Sequence, residues 1–170
     1  SALRQIVSAQ QAQALGQAPD GWASLSEDTW QWLQTQTAAG VTRTVVTLGD
    51  ADYPSSLLDI PDPPLMLYAM GQTEALGQLK AEHALAMVGS RNPTPQGLLN
   101  AREFARSLGQ SGVCVVSGLA LGVDGAAHEG ALAAGAPTIA VVGTGLDRVY
   151  PARHKALAHQ IAASGALISE

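Results

Sequence analysis

Three short turns combine glycine with serine, threonine or arginine, and residues of these types can bind a phosphate group. The turns are Gly89-Ser90-Arg91, Ser117-Gly118 and Gly143-Thr144-Gly145, and each follows an apolar run of four or five residues. Free backbone N–H groups near helix starts attract anions, and an arginine guanidinium binds phosphate through two parallel hydrogen bonds. The pattern predicts a site for an anion, with phosphate as the favoured ligand.

The apolar runs before these turns predict the sheet that positions them. Residues 84–88, 113–116 and 138–142 show no polar alternation, which is typical of strands buried on both faces of a parallel sheet. Successive runs end 28 and 26 residues apart, about the length of one βαβ unit. Parallel strands joined by right-handed crossovers end at one edge of the sheet, where open α/β folds bind ligands. We therefore expect the three turns to converge.

Helix signals between the runs complete the prediction of an α/β fold. The first crossover helix is expected to start with Thr94 as N-cap and Pro95 as its first residue. Two more helices and a fourth strand, at 166–169, follow. The predicted fold class is α/β, a doubly wound and mostly parallel Rossmann-like sheet over residues 44–170. A small helical segment at residues 1–43 precedes it.

The part of the chain before residue 84 predicts further short elements. Strands are expected at 44–48 and 65–68, and a helix at 73–83. Helices are also expected over 1–15 and 26–37, the second with its serine as N-cap and with acidic residues in its first turn. We assign the tryptophans of this region to packing.

The composition describes a compact globular protein, with 46% hydrophobic and 14% charged residues. The single cysteine, Cys114, falls in a predicted buried strand, which excludes a disulfide framework and fits a reducing compartment. No apolar run approaches the roughly 18 residues of a membrane span, and no leader opens the chain. We expect a cytoplasmic protein that does not associate with membranes.

The net charge of −5 argues at first against a nucleic-acid partner, but the charge is unevenly distributed. Residues 1–83 hold three basic and nine acidic residues, whereas residues 84–170 hold six basic and five acidic ones. Positive surface therefore belongs to the glycine-rich part. This positive charge is too small for a protein that binds nucleic acid by charge alone.

Several cofactor and metal motifs are missing from the sequence. Arg148 stands where a G-x-G-x-x-G dinucleotide motif that starts at Gly143 needs its third glycine, and no P-loop motif occurs. His154 and His159 do not have H-E-x-x-H spacing, and no Cys/His cluster accompanies them. We predict neither a cofactor nor a metal site.

A hydrolase is an alternative hypothesis, because Asp124 and His128 lie four residues apart on one predicted helix and close to Ser117 in sequence. However, the serine is not in a G-x-S-x-G elbow, and the residues alone do not establish a triad geometry. In the competing interpretation, Asp124 stabilises the helix N-terminus and His128 is a structural polar residue. We favour that interpretation and predict no catalytic residues.

Longer motifs occur in order along residues 44–170. They are Asp52-Tyr53-Pro54, Ile60 to Gly71, Gly89-Ser90-Arg91, Ser117 to His128, Thr138 to Pro151 and Leu167 to Glu170. Together these motifs closely resemble the DNA-processing protein DprA/Smf family. The helical segment before them is similar to the family only in being an appendage.

This resemblance implies a non-catalytic protein that binds single-stranded DNA. During competence, members of the family protect the incoming strands of natural transformation and help load the RecA recombinase. They form homodimers through the Rossmann-like domain. The family's contacts to the DNA backbone carry over onto Gly89, Ser90, Arg91, Ser117, Gly118, Gly143 and Gly145. Ala152 and His154 stand where the family often has Lys and Asn, so we expect Arg153 to supply the basic contact.

Chains of the family usually continue past the Leu-Ile-Ser-Glu motif through more of the domain. The predicted sheet ends on a strand without a closing helix, so we expect part of a longer protein that dimerises when full length. The rival function is a nucleotide-processing enzyme that cleaves nucleoside monophosphates at the glycosidic bond on a related fold. Its loop carries a catalytic Glu, which residues 143–147 lack. A protein-interaction module is the third hypothesis, should the chain bind no anion.

Overall fold

A computed structural model describes residues 8–14, 16–77 and 79–170. By its internal contacts the chain divides into two compact units, Ser1–Thr35 and Gln36–Glu170. Among the described residues, no helix is both long and apolar enough to cross a lipid bilayer.

The first unit contains two helices, α1 (Ala9–Ala14) and α2 (Trp22–Gln34). Of the helix predicted over 1–15, residues 1–7 and 15 lie outside the described residues. The predicted start of the second helix at Ser26 is wrong, because α2 begins earlier, directly after Gly21 in a left-handed conformation. The serine therefore lies inside the helix and does not cap it.

The second unit is built on one mixed sheet of six strands. In chain order these are β1 (Thr42–Thr47), β2 (Met66–Gly71), β3 (Ala84–Ala86), β4 (Cys114–Ser117), β5 (Thr138–Val141) and β6 (Ala166–Ser169). In space the order is β1-β2-β6-β5-β4-β3. Strands β3 to β6 are parallel, and β2 pairs antiparallel with both β1 and β6. The predicted α/β class and mostly parallel, Rossmann-like sheet are confirmed.

Three helices connect the parallel strands, namely α3 (Pro95–Gln110), α4 (Val123–Ala133) and α5 (Lys155–Ser164). The predicted start of α3 is confirmed, because the Thr94 hydroxyl oxygen accepts a hydrogen bond from the Gly97 N–H at 3.1 Å. With Pro95 as the first helical residue, this cap fixes where the chain leaves the first turn.

The core under these helices is built largely from small side chains. Ala105 of α3 and Ala127 and Ala131 of α4 pack against Val115 of β4, and all four are completely buried. Ile161 of α5 packs in a second cluster with Ala140 and Leu167 of the neighbouring strands. Small residues allow the helices to approach the sheet closely, which holds the strand ends in fixed positions.

The opposite face of the sheet has a core cluster that includes none of the three helices. Cys114, Ile139 and Ile168 alternate with the residues that face the helices, and Leu76 covers them. Cys114 is buried in a strand, as predicted.

Two predicted elements are wrong for reasons of tertiary contact. The run at residues 84–88 is not a strand buried on both faces, because β3 has three residues and lies at the sheet edge, with Val88 77% exposed. The helix predicted at 73–83 is replaced by 3-10 turns at Thr73–Ala75 and Ala81–His83. Between them Gly77 lies directly against the Ala51 backbone, where a Cβ would be 2.1 Å from the carbonyl oxygen.

Candidate functional site

The turns that follow β3, β4 and β5 meet around one pocket at the carboxyl edge of the parallel strands. Its volume is about 260 Å³, and it is lined by Arg91, Gly118, Gly143, Thr144 and the exposed ring of Tyr150, together with their neighbours. One residue comes from the first turn, one from the second and two from the third. The expected convergence of the three turns is therefore observed.

The backbone of the first turn is hydrogen-bonded to the start of α4, at the end of the loop that follows the second turn. The Ser90 carbonyl accepts a hydrogen bond from the Val123 N–H at 3.1 Å. Gly122 has φ +86°, and a Cβ on it would lie 2.3 Å from that carbonyl oxygen. The Ser90 hydroxyl oxygen also accepts from the Asn92 N–H at 3.0 Å. Ser90 thus shapes the turn that places the exposed side chain of Arg91 at the pocket.

Ser117 at the end of β4 is buried, and its hydroxyl donates to the Met87 carbonyl at 2.6 Å. This hydrogen bond ties the second turn to the first, and the serine is not among the residues that line the pocket. Gly118 does line it. A Cβ on Gly118 would lie 2.9 Å from a carboxylate oxygen of Asp124, which also accepts from the Ala120 N–H at 3.3 Å.

The loop between Gly118 and α4 is hydrogen-bonded to the side chain of His154. Leu119 is buried with φ +61°, and its carbonyl accepts a hydrogen bond from Nδ1 of His154 at 2.8 Å. The imidazole lies so close to Gly125 that a Cβ there would be 2.6 Å from Cε1. This contact couples the start of α4 to the turn before α5.

The third turn is hydrogen-bonded to β6, and the space beside its Gly143 is empty of other protein atoms. The Ser169 hydroxyl donates to the Thr144 carbonyl at 2.9 Å, and the Val142 N–H donates to the Ile168 carbonyl at 2.9 Å. Around Gly143 an added Cβ would meet no atom within 4 Å. The carbonyl side of this turn is thus held by the sheet, while space remains in front of its backbone.

Backbone amides supply hydrogen-bond donors at the pocket. Within the described ranges, no acceptor binds the N–H groups of Gly118, Gly143 or Thr144. Among the described lining residues, Arg91 is the only one that carries a charge. Free amides beside one guanidinium form an environment that suits a phosphate group.

The predicted site residues divide into those that line the pocket and those around it. Arg91, Gly118 and Gly143 line it. The others, Gly89, Ser90, Ser117, Gly145 and Arg153, do not. Arg153 is exposed in the 3-10 turn Ala152–His154. Ala120, Leu121 and Pro151 also line the pocket but were not among the predicted site residues, because their side chains carry no chemical signal.

The structure does not join the three residues of the hydrolase hypothesis as a triad, because each of them is hydrogen-bonded to another group. The Ser117 hydroxyl and the Asp124 carboxylate have the backbone partners described above. His128 is fully buried, and its Nδ1 lies 2.8 Å from the Thr138 hydroxyl oxygen. Since that hydroxyl donates to the Val115 carbonyl at 2.6 Å, its oxygen accepts the proton of Nδ1. The residues that the structure describes include no cluster of three metal-ligating side chains.

The pKa of His128 is lowered to about 4, mainly by burial and also by the nearby His154, while a backbone interaction with Ser117 opposes the shift. The imidazole is therefore neutral at physiological pH. It serves as a hydrogen-bonded part of the core between β4 and β5.

Residues 44–170 match the family model described as DNA recombination-mediator protein A. Protein Smf from Synechocystis is 43% identical over 128 residues, which are 74% of this chain and 31% of that protein. DNA processing protein DprA from Streptococcus pneumoniae is 40% identical over 121 residues, covering 71% and 41% of the two chains. The chain therefore spans well under half the length of these relatives.

Two solved structures share the fold. An X-ray structure of DNA processing protein A from Streptococcus pneumoniae matches with a TM-score of 0.70 and 33% identity, over 86% of this chain and 46% of that one. A structure of the Helicobacter pylori protein, described for its single-stranded DNA binding mode, matches with a TM-score of 0.63 and 34% identity. That match covers 74% of this chain and 55% of the other.

Proposed function

Because the chain belongs to the DNA recombination-mediator protein A family, which includes the DprA and Smf proteins, we propose that it binds the phosphate backbone of single-stranded DNA. The observation that carries this proposal is the pocket where Arg91 meets the free amides of Gly118, Gly143 and Thr144. Those groups recognise phosphate without reading base edges, so they suit binding that tolerates any sequence.

The proposed role is binding and not catalysis. Asp124, His128 and Ser117 are committed to hydrogen bonds that build the turns and the core. The other lining groups are backbone amides, small side chains and the Tyr150 ring, on which a base can stack. As part of a longer cytoplasmic protein, the domain would protect incoming strands in transformation and help load the RecA recombinase.

A homodimer fits this role physically. One pocket with a single lining cation gives modest affinity, and two linked pockets raise the effective concentration of the second site without any new contact. We propose that the full-length protein pairs two such domains on one strand.

The test is fluorescence anisotropy of a labelled oligo-dT over a salt series. We expect the logarithm of affinity to fall with the logarithm of salt concentration by about 0.7 for each phosphate neutralised. Arg91→Ala should weaken binding by on the order of 10-fold, the contribution of a hydrogen bond to a charged group. The matched control is Arg106→Ala, which removes an exposed cation of α3 outside the pocket.

Unlabelled thymidine monophosphate serves as competitor. Poor competition by the monophosphate, with an effect of Arg91→Ala that Arg106→Ala lacks, is the expected result. Equal losses in both variants would contradict the assignment of the pocket. Tight competition by the monophosphate would favour the nucleotide-processing enzyme instead.

A further inference from the structure

A second and larger pocket lies beside α5, within the same unit. Its volume is about 550 Å³, and the cations Arg43, Arg148 and Lys155 line it together with the imidazole of His159. Residues 36–170 hold eight Lys and Arg residues, so three of those eight line this one pocket. Asp147 is the only acidic side chain among the described lining residues.

These cations come from three separate segments, which gives the pocket its concave, positively charged wall. Arg43 belongs to β1, Arg148 to the loop after β5, and Lys155 to the first turn of α5. His159 lies one turn further along α5, on the side of Lys155. The Arg148 side chain is 79% exposed and its Nε lies 3.3 Å from the carboxylate of Asp147. An exposed pair of this kind is weak, so a phosphate can compete for the guanidinium.

A small, mostly apolar cavity shares lining residues with both pockets. Its volume is about 10 Å³, and its lining includes Thr144 and Tyr150 of the first pocket together with Arg148 and Val149 of the second. The ring of Tyr150 is 69% exposed at this junction. Because exposed Arg148 lines one pocket and exposed Tyr150 the other, a strand that crosses the surface between them passes an aromatic side chain that is available for stacking.

We infer that the second pocket binds further phosphates of the strand held at the first, so that single-stranded DNA runs from Arg91 across Tyr150 to Arg148 and Lys155. This inference rests on the proposed function and adds its path. A free phosphate or nucleotide offers the same chemistry, but the adjacency of the two pockets, lined by the consecutive residues 148–151, favours one strand.

The experiment compares labelled oligo-dT of about 4 and about 16 nucleotides, which span the site sizes of single-strand-binding folds. We expect the wild-type chain to bind the longer strand more tightly and with a steeper salt dependence. The double variant Arg148→Ala/Lys155→Ala should lose this gain, and its salt slope on the long strand should fall by about 0.7 for each cation removed. Its affinity for the short strand should stay unchanged. Both side chains are exposed, so the fold should tolerate their removal.

The outcomes separate the path from the proposed function. If short-strand binding depends on Arg91 but the double variant keeps the full gain with length, the path is wrong and the function stands. If the wild type gains nothing with length, or if thymidine monophosphate displaces the long strand as readily as it displaces the short one, the second pocket does not hold the strand. A chain that binds neither strand overturns both proposals. Arg106→Ala again serves as the control for the loss of an exposed cation outside the pockets.

Discussion

At the scale of single residues, polar side chains near the pocket mainly form hydrogen bonds that hold the backbone in place. His128 shows this most clearly, because it is fully buried and bonded to Thr138, whose hydroxyl in turn bonds the Val115 carbonyl of the adjacent strand. One imidazole thereby joins α4 to β4 and β5 directly behind the second turn. Its removal from water favours the neutral form of the ring.

This burial predicts a stability that depends on pH. The folded pKa of His128 is about 4, below the ordinary value of 6.5, so between these values the unfolded chain binds more protons. The contribution of His128 to the free energy of unfolding is fully present above pH 6.5 and is lost as the pH falls toward 4. Urea unfolding should show a loss of about 1.5 kcal/mol from this group between pH 6.5 and pH 5. His128→Asn, which can keep a hydrogen bond to Thr138, should lack this component.

The exposed His159 provides the control, since His159→Gln should leave the pH dependence of the wild type in place. Identical curves for the wild type and His128→Asn over this range would contradict the assignment of a buried neutral imidazole.

At the scale of elements, the geometry of the pocket depends on how closely two turns approach each other. Gly122 combines a positive φ with a backbone contact to Ser90, while Gly135 at the end of α4 has φ +69° and open space around it. A side chain at Gly135 meets only the cost of the left-handed conformation. At Gly122 the same change must also push two turns apart.

We therefore expect Gly135→Ala to lower the free energy of unfolding by about 1 kcal/mol. Gly122→Ala should lower it by about 3 kcal/mol, because steric overlap adds to the conformational cost. Urea denaturation measures both variants, and their difference isolates the contact with Ser90. Oligo-dT binding should weaken in Gly122→Ala alone. Equal losses of stability in the two variants would mean that the turns separate freely.

The sequence predicted the elements whose signals are local. The Thr94-Pro95 helix start was correctly placed because a cap depends on neighbouring residues, and β4, β5 and β6 were recognised by their apolar runs. The residues 73–83 were predicted as helix because the contact between Gly77 and the distant Ala51 backbone leaves no local trace. For the same reason the exposed edge position of β3 was missed, since strand order is not written in any one strand.

The site was predictable to a similar depth. The rule that parallel strands end together was enough to bring Arg91, Gly118 and Gly143 to one pocket. The roles of the hydroxyls were not predictable, because Ser117 resembles a ligand-binding serine until its bond to Met87 is seen. The second pocket was missed as well, since Arg43 and Lys155 are more than a hundred residues apart in sequence.

At the scale of the whole molecule, the chain consists of two units that differ in how much buried core they contain. Residues 36–170 contain the sheet, its core clusters and both pockets. In the first unit, the described helix α2 has no buried residue, and Trp22 and Trp30 are each more than half exposed. A unit of so few residues buries little apolar surface of its own.

The second unit should therefore fold and bind without the first. A chain of residues 36–170 should unfold within about 0.5 kcal/mol of the 170-residue chain, because it contains all the described core clusters. Its affinity for oligo-dT and its salt slope should also be unchanged, because every cation of the two pockets lies in this unit. Urea unfolding and anisotropy, run side by side on both chains, provide the measurement. A lower stability of the shorter chain would assign the helical unit a structural role, and a weaker affinity at equal stability would place a further DNA contact within residues 1–35.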